Sequence, residues 1–249
     1  MEPWNDTNIS NTMNLTNKIP ANKPVNKIPT IAIAIPYNSK FEVEWVDRTY
    51  VPLRYAPTDF CNKLFFMSKV PSLPVARDTL VSEVLKSNAD YIFWVDTDII
   101  FESPNDANMA LKRLYQVINK DPNSKDTKMV SGLYRARQRQ GFSYAGWLRA
   151  NKFNKNVIKG YTPIESWTGN FIEIDVAGLG CCLMDTKVFR DIPKPLFYWE
   201  TSEDISEDFY WFEKAKSYGY NLKLFTDVKC SHIGTVKLKS DGTFSMSEM

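Results

Sequence analysis

From Thr30 the chain reads T-I-A-I-A-I-P, an apolar run too short for a helix and lacking the polar alternation of a half-exposed strand. Runs of this kind belong to strands covered on both faces, as in parallel sheets. Leu64 to Val70 offers a second strand. From Pro74 to about Ser87 the pattern changes to helical spacing, with Val75, Leu80, Val81, Val84 and Leu85 on one side. Asn88-Ala89-Asp90 ends that helix, and an apolar strand begins at Tyr91. Strand, helix, strand in this order predicts a right-handed crossover and an α/β sheet. Residues 38–62 read as a long excursion with a short helix or turn. Further on, the pattern predicts a helix from about Asp106 to Asn119 and a strand from Met129 to Tyr134. The strands Phe171 to Val176 and Cys181 to Met184 should flank a turn at Gly178-Leu179-Gly180. A helix from Glu207 to Tyr218 should stop at Gly219, followed by a late strand from Leu222 to Phe225.

The first 29 residues are rich in Asn, Thr, Lys and Pro and hold few large apolar residues apart from Trp4, which predicts a disordered or loosely docked tail. Its N-x-S/T triplets at Asn5, Asn8 and Asn14 arise readily in such a composition. Residues 236–249 read as a polar C-terminal tail, which leaves 30–235 as one domain. A chain of 249 residues suits a single sizeable core.

The net charge of +2 gives no reason to expect nucleic acid or an anionic membrane as the main partner. No stretch approaches 18 uninterrupted apolar residues, and the N-terminus lacks the layout of a secretory signal. Cys61, Cys181, Cys182 and Cys230 show neither C-x-x-C nor zinc-like spacing, so reduced thiols and a cytoplasmic compartment are the expectation.

Candidate chemistry starts in Y-I-F-W-V-D-T-D-I-I-F, residues 91–101, where Asp96 and Asp98 interrupt an apolar run. Ionised carboxylates in such surroundings need a partner. In an extended segment both point the same way, roughly 7 Å apart at Cα. Two oxygen ligands where an apolar strand meets a loop suit a hard divalent cation such as Mn2+ or Mg2+. Arg77 and Asp78 of V-A-R-D lie at a helix start, a plausible diphosphate or nucleoside anchor. Ser206 should cap a helix carrying Glu207 and Asp208 in its first turn, where a carboxylate can serve as a general base. His232, the single histidine, follows the late strand, within reach of a metal at another strand's end.

These pieces, in this order, resemble the GT-A class of nucleotide-sugar glycosyltransferases, most closely the family 2-like group of microbial and viral genomes. The resemblance runs from about Pro29 to Thr235 through I-A-I-A-I-P-Y, V-A-R-D-T-L-V, Y-I-F-W-V-D-T-D, V-S-G-L-Y, V-A-G-L-G-C-C-L-M, I-S-E-D-F-Y-W-F and S-H-I-G. It implies a Rossmann-like, mixed but mainly parallel sheet flanked by helices in a single domain. It implies a nucleotide-diphosphate-sugar donor, a glycan, lipid or protein acceptor, and Mn2+ or Mg2+. By the same resemblance Asp98 ligates the metal, Asp96 faces the ribose or reaches the metal through water, and His232 completes the metal site. Pro36 and Tyr37 match the loop packed on the base, and Arg77 the nucleotide-contacting arginine. Asp78 stands where the family usually has Asn. Gly178 to Gly180 match the loop beneath donor sugar and acceptor. Glu207 and Asp208 match the E-D pair whose aspartate is the base of an inverting transfer. The duplicate S-E-D at Ser202 to Asp204 is a second register for that pair; the copy at 206–208 is preferred because F-Y-W-F and a helix follow it.

Two other readings compete. A sugar-1-phosphate nucleotidyltransferase shares the sheet and the metal but opens with a Gly- and Arg-rich loop, where this chain has P-Y-N-S-K. A non-catalytic carbohydrate- or nucleotide-binding module would keep the fold without turnover. Arg135, Arg137 and Arg139 are expected on a strand face or mobile loop, with a diphosphate or anionic acceptor as the alternative contact. Residues 140–170 are expected to form a flexible loop shaping the acceptor site, with Trp147 and Trp167 either stacked on sugar or packed in the core.

Overall fold

A computed structural model describes residues 27–37, 41–69, 72–101, 106–120, 127–138, 141–149, 160–199, 205–233, 235–238 and 244–247. The tail up to residue 26, the S-E-D copy at 202–204 and Arg139 lie outside the described residues.

The chain opens with β1 (Thr30–Tyr37), followed by a helical excursion. That excursion comprises α1 (Val43–Trp45), a π-helical stretch (Val46–Tyr50) and α2 (Val51–Tyr55). Then come β2 (Asn62–Lys69), α3 (Leu73–Lys86), β3 (Tyr91–Val95), β4 (Ile99–Phe101), α4 (Asp106–Lys120) and β5 (Thr127–Leu133). Short strands β6 (Arg135–Gln138), β7 (Gly141–Tyr144), β8 (Gly146–Arg149) and β9 (Tyr161–Pro163) precede β10 (Phe171–Ile174), β11 (Val176–Ala177) and β12 (Cys181–Asp185). The chain continues with α5 (Thr186–Asp191), α6 (Glu207–Ser217) and β13 (Asn221–His232), then the hairpin β14 (Thr235–Leu238) and β15 (Phe244–Ser247).

The main sheet has eight strands in the order β10-β13-β5-β12-β3-β1-β2, with β4 also pairing β13. β2, β1 and β3 pair in parallel, as do β5 and β13, while β12, β10 and β4 run against their neighbours. Strands β1, β2, β3, β5 and β13 therefore point one way, and the sheet is mixed but mainly parallel.

The alternation in β1 explains the layering. Ile31, Ile33 and Ile35 enter one apolar layer with Trp45, Leu111 and Leu114, whereas Ala32 and Ala34 enter the other with Leu80, Val84 and Trp211. Small alanines let α3 approach on one face while isoleucines fill the wider gap beneath α4. Helices on both faces bury the central strands β1, β3 and β12, which is why those read as continuous apolar runs, whereas β2 and β10 keep exposed positions.

Three expectations need correction. The extended strand across 91–101 breaks after Val95, because Asp96 to Asp98 turn out of the sheet: the Asp96 carbonyl accepts from Ile99 N–H at 3.2 Å and from the Trp45 indole at 2.9 Å. A carboxylate in the apolar interior would be poorly solvated, so the chain leaves the sheet there. The late strand is longer than expected, with β13 continuing past Phe225 to His232 through a register shift before pairing β4. The expected loop at 140–170 instead contributes β7 to a hairpin with β6, and β8 and β9 to a small sheet with β11. Trp147 packs on Phe209 and Trp167 on Tyr144, each at 5.0 Å between ring centres, so both choose core packing.

Candidate active site

Because β1, β3, β5 and β13 run the same way, their exits at Tyr37, Asp96, Tyr134 and His232 share one edge of the sheet. The antiparallel β12 begins at that edge, which places Gly178 to Gly180 there too, and the Asp96 N–H donates to the Gly180 carbonyl at 3.2 Å. Ligands of open α/β sheets collect at such an edge.

Arg77 sits one turn into α3, 1% exposed, with its guanidinium 5.3 Å above the Trp94 ring. Its Nη2 donates to both Asp96 carboxylate oxygens at 3.1 and 3.2 Å, and its Nε donates to Glu207 Oε1 at 3.3 Å. The expected nucleotide-contacting arginine is thus committed to two site carboxylates and ties β3 to α6. Burial by itself would pull its proton off, but Asp96, Glu207 and Asp208 outweigh this and hold the guanidinium more firmly charged than usual. In the opposite sense, burial raises Asp96 above the ordinary carboxylate range, against Arg77 and with help from Asp98 and Asp208. Glu207, 3% exposed, is pushed up to about 8 by burial and by its neighbour Asp208. Asp208 itself is only half-buried in the first turn of α6.

Asp98 Oδ2 lies 2.9 Å from His232 Nε2, and His232 Nδ1 lies 3.0 Å from the Arg135 carbonyl. A carbonyl only accepts, so Nδ1 carries the hydrogen and Nε2 is the nitrogen turned to Asp98. The Asp98 carbonyl accepts from Ile233 N–H at 2.7 Å, which pins the two segments together. A separation of 2.9 Å is a direct hydrogen-bond contact, made by two side chains of the types that can ligate divalent cations. Among the described residues no group of three or more His, Cys, Asp or Glu side chains is placed to hold a metal ion. Two protein ligands, with phosphate oxygens and water for the remainder, is how Mg2+-like ions bind alongside a phosphorylated substrate. Both Asp96 oxygens receive Arg77, and the carboxylate stays partly exposed to the site.

The remaining expected residues divide. Tyr37, after the buried Pro36, starts an aromatic series with Phe41, Trp45 and Tyr50 at centroid spacings of 5.1, 5.4 and 5.8 Å. Trp45 closes that series onto the Asp96 carbonyl. Asp78 is drawn elsewhere: it accepts from backbone N–H groups of Leu196 and Phe197, and burial raises its pKa. The Arg135 side chain lies over the Tyr144 ring at 5.0 Å.

Two site residues were not picked out from the sequence. Trp45 had one available signal, its spacing of four residues from Phe41, which precedes the short helix α1. Tyr134 was noted as a strand end and as the last residue of the V-S-G-L-Y segment, without a role. Its buried hydroxyl accepts from Gly180 N–H at 3.0 Å, and a Cβ added at Gly178 would meet that oxygen at 2.1 Å.

A mixed, mainly parallel sheet between helices, with acidic residues at the strand exits, is similar to the GT-A glycosyltransferase fold. Two solved structures carry the likeness. The crystal structure of A197 from STIV matches with a TM-score of 0.53 at 16% identity, covering 89% of this chain and 95% of that one. GalNAc-T7, solved with UDP, GalNAc and Mn2+, matches with a TM-score of 0.52 at 11% identity, covering 84% of this chain and 44% of that one. No family model and no curated protein matches the sequence. Among the described residues no helix is long and apolar enough to cross a membrane.

Proposed function

We propose that this chain is a family 2-like glycosyltransferase that moves a sugar from a nucleotide-diphosphate donor to an acceptor hydroxyl, with inversion, using Mn2+ or Mg2+. One observation carries the reading: the Asp98–His232 pair, its imidazole oriented by the Arg135 carbonyl, stands at the sheet edge that also presents Asp96 and, from α6, Asp208. When bound, the cation supplies positive charge opposite the diphosphate as the glycosidic bond breaks. Asp98 and His232 would hold it. Arg77 keeps Asp96 aimed at the donor's ribose, and Pro36 and Tyr37 offer an apolar floor for the base. Asp208, in the first turn of α6, accepts the proton of the attacking acceptor hydroxyl. Glu207, buried against Arg77, orients that turn without touching the acceptor. The acceptor is a glycan, lipid or protein hydroxyl, and four buried free cysteines support a reducing, cytoplasmic setting.

Asp208→Asn should lose at least about a hundredfold in transfer while donor binding by calorimetry stays near wild type. Asp98→Ala should lose the Mn2+-dependent part of nucleotide binding. Full turnover by the first variant, or unchanged metal-dependent binding by the second, rejects these roles.

A further inference from the structure

Tyr134 has no part in the mechanism above, yet it touches both the glycine loop and His232. At 6% exposure it stands where β5 ends. Its Oη accepts the Gly180 N–H at 3.0 Å, and the Gly180 carbonyl accepts the Asp96 N–H at 3.2 Å, so phenol, glycine loop and aspartate turn form one hydrogen-bonded series. Neither Gly178 nor Gly180 has a positive φ. What both provide is room: a Cβ would stand 2.1 Å from Oη at Gly178 and 3.1 Å from it at Gly180. The phenol ring meets the His232 imidazole edge-on at 6.0 Å between centres, and the next residue, Arg135, supplies the carbonyl that sets the imidazole's orientation. The Tyr134 carbonyl also accepts the Ala145 N–H at 2.8 Å, and the Ala145 carbonyl accepts the Gly178 N–H at 3.3 Å. The loop is therefore held from both ends by one residue and its partner.

Burial and the carboxylates of Asp96 and Asp208 all push the phenol well above its ordinary range, so it stays neutral and keeps its hydrogen beside those groups.

We propose that Tyr134 is a positioning residue for the transfer reaction: its hydroxyl clasps the Gly178–Gly180 loop onto the Asp96 turn while its ring braces His232, keeping sugar loop and metal-side groups in register. This rests on the glycosyltransferase reading. The residue acts through the loop, so its loss should disturb alignment and leave donor affinity largely intact.

Tyr134→Phe keeps the ring and removes only the clasp. With the full chain, Mn2+ and the accepted nucleotide sugar, kcat should fall about 10- to 100-fold while donor KM and calorimetric nucleotide affinity change by no more than about twofold. Amide exchange at Gly180 should accelerate about tenfold or more, as expected for an N–H that loses its buried acceptor. Gly178→Ala, which drives a methyl onto the same oxygen, should reproduce the kcat loss and decides the matter if the first variant does not fold. Wild-type kcat in Tyr134→Phe, or a change confined to KM, overturns the proposal. A wild-type protein inert toward every nucleotide sugar sinks the glycosyltransferase reading instead, and Gly180 exchange then still tests the clasp by itself.

Discussion

Burying the Arg77 guanidinium to 1% exposure is tolerable because its charge meets Asp96 through two hydrogen bonds, its Nε donates to Glu207 and its face meets Trp94. Removing one partner of a buried charge pair leaves the others uncompensated, at about 3–5 kcal/mol. Arg77→Met should lose stability of that order in urea unfolding, and a loss below about 1 kcal/mol, the range of an exposed ion pair, would show that the cluster is solvated. Glu207 adds a pH signature. Its ordinary value is 4.5 and its folded value about 8, so across that window the folded protein holds a proton the unfolded chain has released. Stability from this group therefore falls as pH rises, by at most about 1.4 kcal/mol per pH unit. Glu207→Gln cannot titrate, so between pH 5.5 and 7.5 the wild type should lose more stability than the variant. Equal slopes would mean that Glu207 is ionised throughout. None of this could be read from V-A-R-D or S-E-D alone. Those motifs name the residue types, but which carboxylate Arg77 takes depends on α3 and α6 meeting across β3.

Strands and helices with a strong period were legible: β1, α3, β3 and α4 lie within a few residues of where the pattern put them. The failures occur where tertiary pairing outweighs local pattern. β13 was expected to end at Phe225 because Thr226 and Asp227 are polar, yet a new alternation, with Val228 and Cys230 buried and Asp227 and Lys229 exposed, carries it on to His232. Pairing with β4 completes that extension and places His232 opposite Ile99, next to Asp98. The strands between 141 and 163 are three or four residues long, too short to give a periodic signal, and only partners distant in sequence hold them. The glycine turn was correctly located, though its glycines serve the Tyr134 hydroxyl. Gly178→Ala should cost about 1–3 kcal/mol by overpacking. Adding Tyr134→Phe should recover part of that loss, since the nearest atom is then the ring carbon at 3.1 Å. Strict additivity of the two changes in thermal unfolding would show that they do not touch.

At the scale of the whole molecule, the core consists of apolar layers on both faces of the sheet, and neither Asp98 nor His232 belongs to it. EDTA alone should therefore leave the melting temperature of the ligand-free protein unchanged. Donor nucleotide with Mn2+ at a hundred times its Kd should add about 2.7 kcal/mol, a rise of roughly 5–10 °C for a chain of this size, which EDTA abolishes. Screening UDP-, GDP-, CMP- and dTDP-sugars in this way identifies the donor by the one that shifts. A fall with EDTA alone would make the metal structural. By itself the sequence determined the α/β class, the crossover unit and the candidate residues Asp96, Asp98, Asp208 and His232, because apolar periodicity and residue chemistry act within a few residues along the chain. Only the tertiary structure decided their division: Arg77 and Glu207 buried together on Asp96, Asp98 facing His232 and Tyr134 clasping the glycine loop. Those pairings join segments 19 to 134 residues apart, and the sheet's strand order together with the packing of α3 and α6 brings them to one edge.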